Sequence, residues 1–184
     1  TRGKPRKNQA HFDLASSLYE MVGIDLTAID GLDALSVQNI ITVTGTDMSP
    51  WPTVKHFCSW LCLSPFNDIS GGKVLRSGSK KTQNQATQGF RLAAQSVSRS
   101  NSALGAFYRR MRAKHGPAKA NKATAHKLAR IFYHMLKNRT AYVDPGQDYY
   151  QEQYQERVMR NLKRKAAKLG MELVPKAVPA PVVS

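Results

Sequence analysis

Between Ile69 and Val143 the chain has no aspartate and no glutamate, yet the same seventy-five residues carry sixteen lysines or arginines. A soluble surface ordinarily intersperses both signs of charge, so solubility alone does not account for this run, and a polyanionic partner does. Long hydrophobic stretches are also lacking, since nothing approaches the roughly 20 apolar residues needed to span a bilayer. The first apolar run follows Thr-Arg-Gly-Lys-Pro-Arg-Lys and contains Asp13, which is unlike a signal peptide. A cytoplasmic, nucleoid-associated bacterial protein is the expectation. Cysteine is scarce: Cys58 and Cys62 stand at i,i+4 within His56-Phe-Cys-Ser-Trp-Leu-Cys-Leu63, one face of an expected helix. With only His56 nearby they are too few for a metal site, and helical i,i+4 thiols pair poorly, so core packing is expected. No period-2 run bounded by turn residues predicts a strand, and Gly105 and Gly116 are too isolated for a nucleotide fingerprint.

What the chain does have is an uneven charge. Residues 1–8 hold four basic and no acidic residues, 9–69 hold one basic and seven acidic, and 70–184 hold twenty-three basic and five acidic. Nearly all of the net +16 therefore sits in the C-terminal two-thirds. This asymmetry is the footprint expected of DNA or RNA binding, in which Lys and Arg neutralise phosphates and release counterions.

Apolar spacing is helical almost throughout, so the predicted fold class is all-α. A first helix is expected over about Ala10 to Met21, ended by Gly23. A second follows the tight turn at Ile29-Asp-Gly-Leu-Asp33 and closes at Gly45. Thr53 is placed to cap the cysteine-bearing helix and Pro65 to stop it. Beyond, helices are expected over Thr82 to Ser98, Ala103 to His115, Lys119 to Lys137 and Gln147 to Leu169. At 100° per residue, Lys119, Lys122, His126, Arg130 and Lys137 fall within an arc of roughly 80°, opposite Leu128, Ile131, Phe132, Met135 and Leu136. The expected order is a disordered basic arm at 1–8, a helix-hairpin-helix region at 9–66, a basic helical domain at 67–145, a basic helix at 146–170 and a disordered Ala/Pro-rich tail at 171–184. The start at Thr1 rather than Met leads us to expect a piece of a longer protein.

Ser70-Gly71-Gly72-Lys73 is the candidate for chemistry. Two glycines allow positive φ and close approach of backbone N–H groups to an anion, and Lys73, Arg76, Lys80 and Lys81 follow within eleven residues. Such a loop could place positive charge over a phosphate attacked by the Ser70 hydroxyl, but Asp68 is the one carboxylate near in sequence to take the proton. A turn that merely binds phosphate is the plainer reading, and spacing alone favours it. Further phosphate contacts are expected from Arg91, Lys119, Lys122, Arg130 and Lys137. Ile29-Asp-Gly-Leu-Asp33 has the look of a helix-hairpin-helix turn whose usual second glycine is here Asp33, which leaves a packing role open. Gly23-Ile-Asp-Leu-Thr27 invites comparison with a first nuclease strand, but no alternating strands or second carboxylate cluster follow.

Taken in order, Ile29-Asp-Gly-Leu, His56 to Pro65, Asn67-Asp-Ile-Ser-Gly-Gly-Lys-Val74, Phe90-Arg-Leu-Ala-Ala-Gln-Ser96, Ala103 to Met111 and Ala123-Thr-Ala-His-Lys-Leu-Ala-Arg130 resemble the C-terminal transposase domain of insertion-sequence family one-hundred-and-ten. The resemblance covers about residues 10 to 170. It implies that Ser70 is a nucleophile joining covalently to DNA. It also implies a RuvC-like domain that holds Mg²⁺ through four acids outside this chain, a guide RNA bridging two DNAs, and a homo-oligomer. No cofactor is expected on this chain, and alone it is expected to be inactive in DNA cleavage. The rival expectation is a non-catalytic nucleic-acid-binding protein, from a decayed element or a ribonucleoprotein.

Overall fold

Helix α1 begins where Asp13 caps Leu14–Val22, its carboxylate accepting from the Ser16 amide at 3.2 Å. Its inward stripe is Leu14, Leu18 and Val22, and Gly23 at φ +77° closes it in the left-handed conformation that glycine adopts without steric cost. The computed structural model describes residues 10–78 and 80–174 of the chain. The expected arm at 1–8 and residues 175–184 of the expected tail lie outside them.

After a 3₁₀ turn at Leu26–Ala28, Asp33 caps α2 (Ala34–Thr44) by accepting from the Ser36 amide at 2.9 Å. The departure from glycine at Asp33 thus has a local purpose, since a carboxylate at the N-cap satisfies an orphan amide and complements the helix dipole. The turn ahead of α2 is packed against protein. The Ser96 hydroxyl donates to the Gly31 carbonyl at 3.2 Å, and the Ser102 hydroxyl donates to the Asp30 carboxylate at 2.5 Å, alongside that of Ser100.

Helix α3 (Val54–Trp60) starts at Thr53, whose hydroxyl pairs with His56 Nδ1 at 2.8 Å instead of capping the backbone. It stops earlier than Pro65. The Leu63 amide reaches back to the Cys58 carbonyl at 3.0 Å and the Cys62 amide to that of Ser59 at 2.9 Å, with Cys62 at φ +53°. These two bonds form a Schellman closure in which cysteine occupies the position usually held by glycine. The expected cysteine pair therefore divides. Cys58 is fully buried with its thiol pushed up to about 11 by burial, whereas Cys62 leaves the helix and is only partly covered.

The chain is mostly helical, as expected, but it also contains a small sheet that the all-α expectation lacked. Phe66–Ser70 (β1) and Lys73–Gly78 (β2) form an antiparallel two-stranded hairpin, with Ser70 opposite Lys73. Gly71 and Gly72, at φ +54° and +76°, are its two turn residues, the paired positive φ that a type I′ hairpin turn requires. Among the described residues the remaining long elements are helices: α4 (Gln85–Ser96, capped by Asn84), α5 (Ala103–His115, capped by Ser102), α6 (Pro117–Asn138) and α7 (Tyr149–Lys168). Helix α6 is the central element, packing on α3, α4 and α5. Its inner face sets Phe132 edge-on to Phe90 at 5.4 Å and Tyr133 against Phe57 at 5.6 Å. One continuous core runs from Leu14 on α1 to Leu136 on α6. Helix α7 lies beside α5, where the Arg110 guanidinium covers the Tyr154 ring at 5.4 Å. Among the described residues no helix is long and apolar enough to cross a membrane.

Candidate nucleic-acid interface

The hairpin decides which side chains accompany Ser70. Register pairs Asp68 with Arg76 but Ile69 with Val74, so β2 carries one extra residue, Leu75, as a bulge. In a regular strand, positions three apart face opposite ways. The bulge restores the phase, so that Lys73 and Arg76 share the face of Asp68 and Ser70. The turn residues and both cations are exposed. The residues around Ser70 do not fit a divalent cation, because Asp68 is the one carboxylate between Phe66 and Gly78 and it stands opposite Arg76. Among the described residues no three His, Cys, Asp or Glu side chains gather into a metal site.

The hairpin rises from the edge of a groove. Pro65, just before the ribbon, and Gly78, its last residue, line a cavity of about 630 Å³ together with Lys119, Lys122, His126 and Arg130 of α6. Phe107 and Met111 of α5 supply part of its wall. A neighbouring cavity of about 720 Å³ shares Lys122 and adds Lys80, Lys81 and Arg91. Six of the expected phosphate contacts thus converge, and Lys80 also lies over the Phe66 ring at 5.3 Å, joining groove and ribbon. Lys137 does not join them. Its ammonium donates to the Pro52 carbonyl at 2.8 Å and the Tyr133 hydroxyl at 2.9 Å, which ties it to the base of α3.

Burial, and after it neighbouring positive charge, lowers the protonation of three groove residues. Burial, followed by Arg91, lowers Lys122 from its ordinary range. Burial, Arg130 and Lys127 lower His126. Lys127, half-buried with its ammonium 4.8 Å from the centre of the Phe107 ring, is brought to about 8 by burial and then by Arg130 and Arg110. An anion entering here would relieve all three.

Residues 25–109 match the Transposase IS116/IS110/IS902 family. This transposase match covers just under half of the chain and supports a transposase-related function. It takes in the Gly31 turn, the whole hairpin, α4 and the first half of α5, while the α6 wall of the groove lies outside it. Neither curated proteins nor solved structures gave a match.

Sequence reasoning missed Lys127, Phe107 and Met111 as groove residues. Lys127 sits 100° from His126 and so fell outside the basic arc. Phe107 and Met111 had one available signal: their i,i+4 spacing makes a second apolar patch on α5 beyond the buried Leu104 and Tyr108.

Proposed function

We propose that the chain is the DNA-binding C-terminal part of an insertion-sequence transposase that acts in transposition and recombination through Ser70. The observation that carries this reading is the joint placement of Ser70, Lys73 and Arg76 on one face of a ribbon standing at the edge of a basic groove, within the segment that matches a transposase family. In the proposed step the Ser70 Oγ gives its proton to an acceptor outside this chain and bonds to phosphorus, and the bridging DNA oxygen leaves with its electron pair. Lys73 and Arg76 hold the non-bridging oxygens, whose charge grows in the transition state. The groove anchors the flanking phosphates through Lys80, Lys81, Arg91, Lys119, Lys122 and Arg130. Gly71 and Gly72 let the turn approach the backbone closely.

The hydroxyl proton needs an acceptor, and Asp68, the carboxylate on that face, is already opposite Arg76. For this reason the chain by itself is proposed to bind DNA without cutting it. A RuvC-like domain with its Mg²⁺, a guide RNA and further copies of the protein complete the proposed assembly. The decisive experiment incubates end-labelled DNA with this chain, and with the chain joined to a RuvC-like domain plus Mg²⁺ and guide RNA, then resolves products on a denaturing gel. A covalent adduct is expected from the joined protein, none after Ser70→Ala, and none from the chain alone. Absence of any Ser70-dependent adduct from the joined protein defeats the nucleophile role. The Asp68–Arg76 opposition would then favour the second reading, a non-catalytic nucleic-acid binder, in which Ser70 only hydrogen-bonds phosphate.

A further inference from the structure

The groove between α5 and α6 is built unlike a surface for duplex backbone alone. A rigid duplex lying across the protein reaches exposed cations such as Lys119 and Arg130. It does not reach the half-buried Lys127, whose ammonium lies inside the groove against the Phe107 ring. Nor has a phosphate any use for an apolar wall of Leu63, Pro65, Phe107 and Met111. A base does, because single strands are held by stacking and apolar contact together with a positively charged track for the backbone.

Both elements are present side by side, and we infer that this groove takes one unstacked nucleotide of a single strand. Its base lies against Phe107 and Met111, and its phosphate lies among Lys122, Lys127 and Arg130. The adjoining cavity, with Lys80, Lys81 and Arg91, receives the next phosphates along the strand. Lys122 lines both cavities and so joins them into one track. Burial first, and neighbouring cations second, lower Lys127 and His126, which fits a partly covered site that an anion would favour. This inference rests on the nucleic-acid reading above and narrows it to an unpaired nucleotide.

Fluorescence anisotropy of the whole chain with a labelled single strand and with a blunt duplex of equal length separates the two claims. Phe107→Ala is expected to weaken the single strand about 5- to 30-fold, the loss of roughly one base stack, while duplex affinity stays within about twofold. Phe107→Leu preserves more of the packing if the alanine variant loses its helical circular dichroism, and is expected to show the same selective loss. Lys80→Ala with Lys81→Ala should weaken both ligands alike. Equal losses on strand and duplex from the Phe107 variants, or none on either, overturn the nucleotide site and leave the basic surface standing. Failure of the unmodified chain to bind either ligand overturns both readings. DNA and RNA strands of the same sequence, run in parallel, tell which sugar the site accepts.

Discussion

At the scale of single residues, two positions have their behaviour set by what surrounds them. Gly31 sits at φ +87°, and a Cβ there would collide with Val97 Cγ1 and come within 2.8 Å of the Ala93 carbonyl oxygen. Backbone strain and overpacking add, so Gly31→Ala is expected to cost about 2–4 kcal/mol, read as a lowered urea midpoint. Gly23, with open space around its Cβ position, should lose only the conformational part when changed to alanine. Lys127 provides the pH dependence. Its folded value of about 8 lies below the ordinary 10.5, so between those values the folded chain has released a proton that the unfolded chain still holds. Stability contributed by this group therefore rises with pH from about 8 to 10.5, and its penalty is fully present below that window. Subtracting the pH profile of Lys127→Met from that of the unmodified chain isolates the effect. A difference that is flat or falls across the window would show that Lys127 is not desolvated in the folded protein.

At the scale of elements, the helices were legible from apolar spacing and end signals, even exposed α7, whereas the hairpin was not. Helix α5 was expected over Ala103 to His115 and spans those residues, because Ser102 caps it and Gly116-Pro117 ends it. Helix α6 was legible for the same reason, with an inner face packed on three other helices. The hairpin hid because its pattern obeys neither period. Ile69, Val74 and Leu75 are exposed apolar residues, and the bulge at Leu75 breaks the alternation after only two pairs from the turn. Gly71-Gly72 between Ile69 and Val74 was the available signal, a two-residue loop of the kind that favours a hairpin. The groove was half legible: the cations of α6 followed from 100° geometry, but the opposing α5 wall depends on how two helices pack. Because the ribbon makes its extensive contacts within itself, its order should be separable from that of the helices. Replacing Gly71 and Gly72 by alanine puts side chains at positive φ, costing about 1 kcal/mol or more at each. Hydrogen-exchange protection across Ile69 and Val74 is expected to fall while the global unfolding midpoint stays put. A matching drop in that midpoint would mean that the ribbon is part of the cooperative core.

At the scale of the whole molecule, the net charge of +16 makes weak attraction to any polyanion unavoidable, so binding by itself says little about a site. Salt dependence is more discriminating, because each phosphate neutralised releases a counterion and adds about 0.9 to the slope of log K against log salt on duplex DNA. If the groove is the interface, Lys119→Ala with Lys122→Ala should shallow that slope by about 1.8. Lys137→Ala removes the same charge from the same helix, yet its ammonium is held by the Pro52 carbonyl and the Tyr133 hydroxyl. The slope should then be nearly unchanged, while stability falls by about 0.5–1.5 kcal/mol for the lost hydrogen bonding. Net charge alone predicts equal effects per lysine, whereas a groove predicts that position matters. A slope that changes as much for Lys137→Ala as for either groove lysine would show that the chain attracts nucleic acid through its overall field, with no interface along α6.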